Sequence, residues 1–245
     1  MTTLALSGKT ALITGGARRI GRATALALAA AGADVAITYL ASETAAGETM
    51  RAIKKLNRRA MALPCDVRSE VSVRSAIAGA VAGFKQLDIV VNNAAVFAKA
   101  PLERMSLGEW DTVFETNARG PFLVAREALP YLRAAHGCIV NIGSLGGIRA
   151  WADHAHYCSS KAALHMLTQA MAKAFAPEVR VNCVAPGWID ADGQPPDTAL
   201  RFAQKTPMRR NGTVEDVAQA VVFFATGPAF ITGQILAVDG GLGLA

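Results

Sequence analysis

The sequence predicts an α/β protein: a doubly wound, seven-stranded parallel sheet with helices on both faces, formed as a single domain over residues 1–245. Three observations predict it. Seven short runs, Thr10–Ile13, Val35–Tyr39, Ala60–Pro64, Ile89–Val91, Ile139–Ile142, Val181–Val184 and Ile235–Val238, are almost continuously apolar, as strands buried on both faces must be. Longer helical patterns separate them, and strand–helix alternation repeated this often builds a parallel sheet. The first strand runs into Thr14-Gly15-Gly16-Ala17-Arg18-Arg19-Ile20-Gly21, a glycine-rich strand-to-helix turn of the kind that lets backbone N–H groups approach a pyrophosphate.

Each element has its own signal. An amphipathic stretch over Ile20–Ala31 follows the first turn, and a second covers Tyr157–Ala174. Thr213-Val-Glu-Asp216 reads as a capping box opening a helix through Val217–Phe224. The least regular stretch, Trp188–Gln204, carries Gly193, Pro195 and Pro196. A loop of that length in a small domain is usually functional, so residues 188–206 are expected to form a substrate-binding loop.

Composition bounds the function. Hydrophobic residues make up 52% and charged residues 18%, which excludes a disordered chain. No run of 18 apolar residues and no signal peptide is seen, so neither a membrane span nor secretion is expected. Cys65, Cys138, Cys158 and Cys183 share no ligand spacing; buried, reduced thiols, no metal and a cytoplasmic location are the expectation. The net charge is +6 but the basic residues are dispersed and aromatics are only 6%. Nucleic acid is therefore not the expected partner; a small anionic substrate or cofactor fits the Arg18–Arg22 group better.

The second strand bears on cofactor choice. An NAD site wants an acid at its end to hold the ribose diol; this one ends Thr38-Tyr39-Leu40-Ala41-Ser42. Arg18 and Arg19, with Tyr39 and Ser42, supply the charge and hydroxyls that a 2′-phosphate needs, so NADP(H) is expected. Further along, Tyr157 and Lys161 are four residues apart and share a helix face. An ammonium beside a phenol favours phenolate, so the Tyr157 pKa is expected to fall from its usual value of about 10. Ser144, read at a strand end, can reach the same substrate oxygen.

With these pieces the chain resembles the short-chain dehydrogenase/reductase family over essentially its whole length, a family with a Rossmann-type fold. The resemblance rests on the Thr14–Gly21 turn, Asp66-Val67 after the third strand, Asn92-Asn93-Ala94-Ala95 after the fourth, Asn117, the Ser144, Tyr157 and Lys161 triad, Pro186-Gly187, and Ile231-Thr-Gly-Gln with Val238-Asp-Gly-Gly241. It implies that Thr14, Gly15, Ile20, Gly21, Asp66, Val67, Asn93, Ala94, Pro186, Gly187 and Ile189 join the two arginines, Tyr39 and Ser42 around NADP(H), with Asp66 at the adenine. It implies that Ser144 polarises a carbonyl, Tyr157 protonates it as hydride arrives, Lys161 holds the nicotinamide ribose, and Asn117 holds a water that feeds Lys161. A homotetramer, or failing that a homodimer, is the family's usual assembly, with the Tyr157 helix and a helix over Glu115–Tyr131 at the contacts. Met166, Met171 and Phe175 are expected to be buried, within the core or between subunits.

The chain departs from the family pattern at Arg19, Ala191 and Ala95, the last a small change, and branches of the family differ at further positions. Arg19 stands at a glycine position, as in the pteridine reductase branch, where it is expected to reach over the cofactor phosphates toward the substrate; that branch keeps an Asp where this chain has Ser144. Ala191 replaces a frequent Thr. The 3-oxoacyl-carrier-protein reductases present arginines to their carrier where this chain has Leu129 and Pro177-Glu178, with Arg133 nearby. A carbonyl reductase, including one acting on 3-oxoacyl-like substrates, is the first reading. A pteridine reductase is the alternative, and a non-catalytic NADP(H)-binding regulator comes third because it would need a broken triad. His154 and His156 read as loop or substrate-wall residues. Trp151 and Trp188 fit either the substrate wall or the core.

Overall fold

The computed structural model describes residues 4–190 and 196–244, leaving the side chain of Pro196 aside. Ala191, Gly193 and Pro195, and with them part of the 188–206 expectation, lie outside the described residues. The sheet contains β1 (Thr10–Ile13), β2 (Asp34–Tyr39), β3 (Ala60–Pro64), β4 (Ile89–Asn92), β5 (Cys138–Ile142), β6 (Arg180–Pro186) and β7 (Ile235–Val238). All pairings are parallel, in the order β3-β2-β1-β4-β5-β6-β7. The order reverses between β1 and β4, so a crevice opens there at the carboxyl ends of the strands.

Helices α1 (Arg19–Ala30), α2 (Glu43–Lys55), α3 (Glu70–Phe84), α4 (Leu107–Phe114), α5 (Gly120–Ala135), α6 (Ala155–Phe175), α7 (Pro196–Lys205) and α8 (Val214–Thr226) complete the described layers. Period-two alternation divides the inner strands between two cores. Ala11 and Ile13 of β1 face Leu28 of α1, Ile53 of α2 and Val217 of α8. Leu12 between them faces the other way, into a core with Ile77 of α3, Leu132 of α5 and Met171 of α6. A sheet buried on both faces cannot show a polar–apolar alternation, which is why its strands are read from apolar runs.

The structure differs from the sequence reading in two places, and it separates the methionines of α6. The segment after β6 is not irregular throughout: Ile189 forms an isolated bridge with Gly212, and Pro196 opens the ten-residue α7. Proline is compatible with a first helical position because it needs no hydrogen-bonded N–H there, so it marked a helix start as well as a loop. The helix expected from Glu115 begins as a π-helical segment, Glu115–Arg119, and becomes α only at Gly120, with Pro121 in its first turn. Met166 is 65% exposed on the outer face of α6, whereas Met171 is buried.

Side-chain amides fix α6, the helix carrying Tyr157 and Lys161, against the sheet. Asn92 Nδ2 donates to Asn141 Oδ1 at 2.8 Å, and Asn141 Nδ2 donates to Thr168 Oγ1 at 2.8 Å. This buried chain runs from β4 through β5 to α6.

Candidate active site

The site is assembled from the turn after β1 outward. Gly15 has φ +63, a left-handed conformation that favours glycine. A Cβ on Gly21 would strike the Gly15 carbonyl and the Asn93 amide; only glycine lets α1 approach the turn this closely. Asn93 Nδ2 donates to Thr14 O at 2.8 Å and to Gly15 O at 3.0 Å. Thr14 Oγ1 in turn accepts from the backbone N–H of Asn93 and of Ala94, both at 3.0 Å. No side chain caps α1, and no acid stands in its first turn, so its N-terminal field favours an anion.

This turn borders a groove of about 540 Å³ lined by Gly15, Arg18, Arg19, Ile20, Gly21, Tyr39, Asp66, Val67, Asn93 and Ala94 among others. The open cradle, the uncapped helix and the flanking arginines fit a dinucleotide pyrophosphate. Two expected cofactor residues line neither this groove nor the cleft that continues it. Thr14 is buried, its hydroxyl committed to the Asn93 and Ala94 amides. Ser42 sits at the N-cap of α2 and is absent from the groove lining. The groove also contains residues that the sequence reading missed. Arg68 is one, forked onto the Asp66 carboxylate at 2.8 and 3.0 Å; an Arg two residues from an Asp was its only sequence signal. That guanidinium, bonded to the carboxylate, holds Asp66 below the usual carboxylate range.

A second cleft, about 260 Å³, shares Arg19, Ile20, Asn93, Ala95 and Phe97 with the groove and continues it. Ser144, Tyr157 and Lys161 line it together, as do Pro186, Gly187 and Ile189. Arg19 thus borders both spaces, with φ +49. This is the left-handed region, costly for a side chain with a Cβ, and it accounts for glycine being the simpler residue there. Trp151 and Trp188 both line the cleft, so the wall rather than the core describes them.

Tyr157 is not shifted in the direction its lysine neighbour suggested. Burial pushes its phenol up; the hydrogen bond with the Ser144 hydroxyl offsets this only partly. Lys161 is buried, donates from Nζ to Ile142 O at 2.8 Å, and lies 5.8 Å from the centre of the Tyr157 ring. Burial pushes the Lys161 ammonium itself down to about 8. Desolvation outweighs the attraction that a surface Tyr–Lys pair would show.

Asn117 lies one layer behind the cleft. Its Oδ1 accepts from Val96 N at 2.8 Å, while Nδ2 donates to Val96 O at 2.9 Å and to Ser160 Oγ at 3.0 Å. Both amide hydrogens are used, and the side chain ties the segment after β4 to α6. His156 is fully buried in the first turn of α6, neither loop nor wall, whereas His154 stacks on Phe97 with centroids 4.8 Å apart. His165 was not singled out in sequence. Buried one turn beyond Lys161, its Nε2 accepts a long bond from Ser144 N at 3.4 Å. Burial and the Lys161 charge push it down to about 4, so it stays neutral and able to accept at physiological pH. Added Cβ atoms on Gly143 or Gly147 would collide with this imidazole.

Among the described residues no three His, Cys, Asp or Glu side chains gather as a metal site, and no helix is long and apolar enough to cross a membrane. All four cysteines are free and buried.

A dinucleotide groove leading into a Ser–Tyr–Lys cleft defines the class: a nicotinamide-dependent oxidoreductase. Comparison with known proteins agrees. The family model described as enoyl-(acyl carrier protein) reductase matches residues 15–243. A 3-oxoacyl-[acyl-carrier-protein] reductase of Synechocystis is 38% identical over 242 residues, covering 97% of this chain and 98% of that protein. A cis-4-hydroxycyclohexanecarboxylate dehydrogenase of Sinomonas cyclohexanicum is 38% identical over 244 residues, covering 97% of each chain. The crystal structure of a blue fluorescent protein from a metagenomic library, in complex with NADPH, superposes with TM-score 0.91 at 35% identity over 97% of this chain and 99% of that one. The chain belongs to the short-chain dehydrogenase/reductase family, NAD(P)-dependent enzymes acting on CH–OH and C=O groups.

The buried lysine makes a signed prediction. Its pKa is about 8 in the folded protein and about 10.4 in an unfolded chain. The cost of burying the charge is complete below the lower value and vanishes above the higher, so this group makes the protein more stable as pH rises between them. Lys161→Met abolishes that rise. The urea midpoint of the variant relative to the parent should be greatest below about pH 8 and shrink toward about pH 10; a constant difference would show that the ammonium is not desolvated.

Proposed function

We propose that this protein is an NADPH-dependent reductase that transfers hydride to the carbonyl of a ketone or aldehyde, with Tyr157 as general acid. The observation carrying the proposal is the shared wall of Ser144, Tyr157 and Lys161 in a cleft continuous with the dinucleotide groove. The nicotinamide supplies the hydride when bound. Ser144 and Tyr157 are bonded to each other, so two hydroxyls converge where a carbonyl oxygen would receive a proton. Burial keeps the Tyr157 phenol protonated, the form that an acid needs in the reductive direction. Lys161 brings a positive charge beneath the tyrosine, and the Ile142 carbonyl fixes its position. Such general acid catalysis contributes roughly 10²–10⁴-fold, with positioning supplying more.

The preference for NADPH is supported by the end of β2, where Tyr39 and Leu40 line the groove with Arg18 and Arg19 opposite and Asp66 already paired with Arg68. A cytoplasmic setting suits the four buried free thiols. The pteridine alternative draws on Arg19, which reaches the cleft as that reading requires, but no carboxylate stands among the described residues of the cleft. Carrier recognition has little support: Leu129 packs against the core, leaving exposed Arg133 as the nearby cation.

Tyr157→Phe should cut kcat by more than about 10²-fold while leaving NADPH affinity within a few-fold; a fully active variant overturns the mechanism. Leu40→Asp should move the ratio of kcat/KM for NADPH over NADH toward NADH by about tenfold or more, through repulsion of the 2′-phosphate and a new partner for the diol. Unchanged selectivity would count against the 2′-phosphate assignment.

We also propose a homotetramer, or a homodimer as its half. Phe122 and Tyr131 of α5, Met166 of α6, and Phe230 and Leu236 at or near β7 are large exposed apolar groups. Light scattering should return the four-chain mass, the two-chain mass giving the dimer; a monomer at micromolar concentration overturns both.

A further inference from the structure

We infer that the substrate is a carbocyclic or aryl ketone, received in a slot of aromatic rings, and not an extended 3-oxo thioester; the inference rests on the carbonyl-reductase reading above. The rings come from separate parts of the chain. Phe97 follows β4 and meets the Tyr157 ring edge-on, with centroids 4.8 Å apart at 87°. Trp151 precedes α6 and lies nearly parallel to Tyr157, at 6.1 Å and 13°. Trp188 follows β6 and lies flat against Phe202 of α7, at 4.1 Å and 8°. Phe97, Trp151, Tyr157 and Trp188 all line the cleft.

These contacts limit how the walls can rearrange. Each ring has only two side-chain torsions and already rests on another ring: Phe97 on His154, Trp151 against Tyr157, Trp188 on Phe202. A preformed aromatic slot favours ligands with flat or closed apolar faces, because burying them costs little further ordering. Phe97 is 60% exposed at the rim, apolar surface that a ring in the cleft would cover.

Size and polarity point the same way. The cleft is about 260 Å³, and it joins the dinucleotide groove along Arg19, Ile20, Asn93 and Ala95. The space left beside Ser144 and Tyr157 suits a compact ring. A thioester arm carries amides that need hydrogen-bond partners along its length when buried; beyond Arg19, Asn93 and the Ser–Tyr–Lys group, the described side chains lining the cleft are apolar or aromatic, with indole N–H groups as their only polar atoms. A pterin edge carries several N–H donors, and the described cleft offers it no carboxylate.

The test measures NADPH oxidation with cyclohexanone, acetophenone and the N-acetylcysteamine thioester of acetoacetate, on the parent protein and on Trp151→Ala, Trp188→Ala and Trp151→Phe. Both ring ketones should exceed the thioester in kcat/KM. The alanine variants should lose about tenfold on the ring ketones, chiefly through KM, and distinctly less on the thioester; Trp151→Phe, which keeps a ring, should recover most of the loss. Faster turnover of the thioester than of both ring ketones, or equal losses on both classes, overturns the ring slot and leaves the reductase reading intact. Acetophenone binding to Tyr157→Phe, followed by quenching of tryptophan fluorescence, reads occupancy without turnover. Quenching with no NADPH oxidation by the parent on any of the three ketones overturns the reductase reading alone. No quenching and no oxidation overturns both.

Discussion

The site depends on one exchange of hydrogen bonds across the sheet's switch point. The Asn93 side chain donates to the carbonyls of Thr14 and Gly15, and the Thr14 hydroxyl accepts from the backbone of Asn93 and Ala94. Parallel strands β1 and β4 pair through Ile13 and Val91, and the ladder's last bond runs from Thr14 N to Val91 O at 3.0 Å, leaving the two loops beyond it to be held by other contacts. The exchange holds them, and it satisfies buried backbone groups that would otherwise be costly. Because Asn93 borders both the groove and the cleft, the same contact sets where a dinucleotide enters and how it points toward Tyr157.

Further amides extend that frame to α6. Asn92, Asn141 and Thr168 connect β4 and β5 to the middle of the helix, and Asn117 with Ser160 connects the segment after β4 to its first turns. A π-helical stretch carries Asn117; its wider turn is a local departure of the kind found at functional sites. Tyr157 and Lys161 therefore stand on a helix fixed at two heights, while His165, further along it, touches the Ser144 backbone. Catalytic placement of this precision needs supporting contacts around the reacting groups, and here they are neutral amides and an imidazole whose hydrogen-bonding pattern stays constant through the physiological range.

Strand positions were legible because they are short apolar runs: Thr10–Ile13, Ala60–Pro64 and Ile235–Val238 agree with the structure to the residue, the first fully buried and the two edge strands partly so. The glycine turn was legible because Gly15 and Gly21 answer steric demands that only glycine meets. What escaped depends on spatial proximity. Nothing in Thr14 or Ser42 alone says whether a hydroxyl faces the groove or the protein. α7 was hidden by prolines that end some elements and begin others. His165 looks like any polar residue on a helix until the close approach of Gly143 and Gly147 is seen. Pairwise spacing brought Tyr157 and Lys161 together correctly but could not weigh burial, so the direction of the tyrosine shift was misread.

That misreading bears on the direction of the chemistry. A lysine at the surface would stabilise phenolate and make Tyr157 a base, suited to removing a proton from an alcohol. In this protein both groups are desolvated, and the charged form of each is penalised: the phenol is pushed up and the ammonium down to about 8. The pair is therefore biased toward a proton resting on the tyrosine, where a carbonyl reduction consumes it. The Ser144 bond is the counterweight, since a hydroxyl donated to Tyr157 stabilises the phenolate left after transfer. Burial loads the acid and Ser144 eases its discharge, so the desolvation that hid the shift from the sequence is also what holds the proton on the tyrosine.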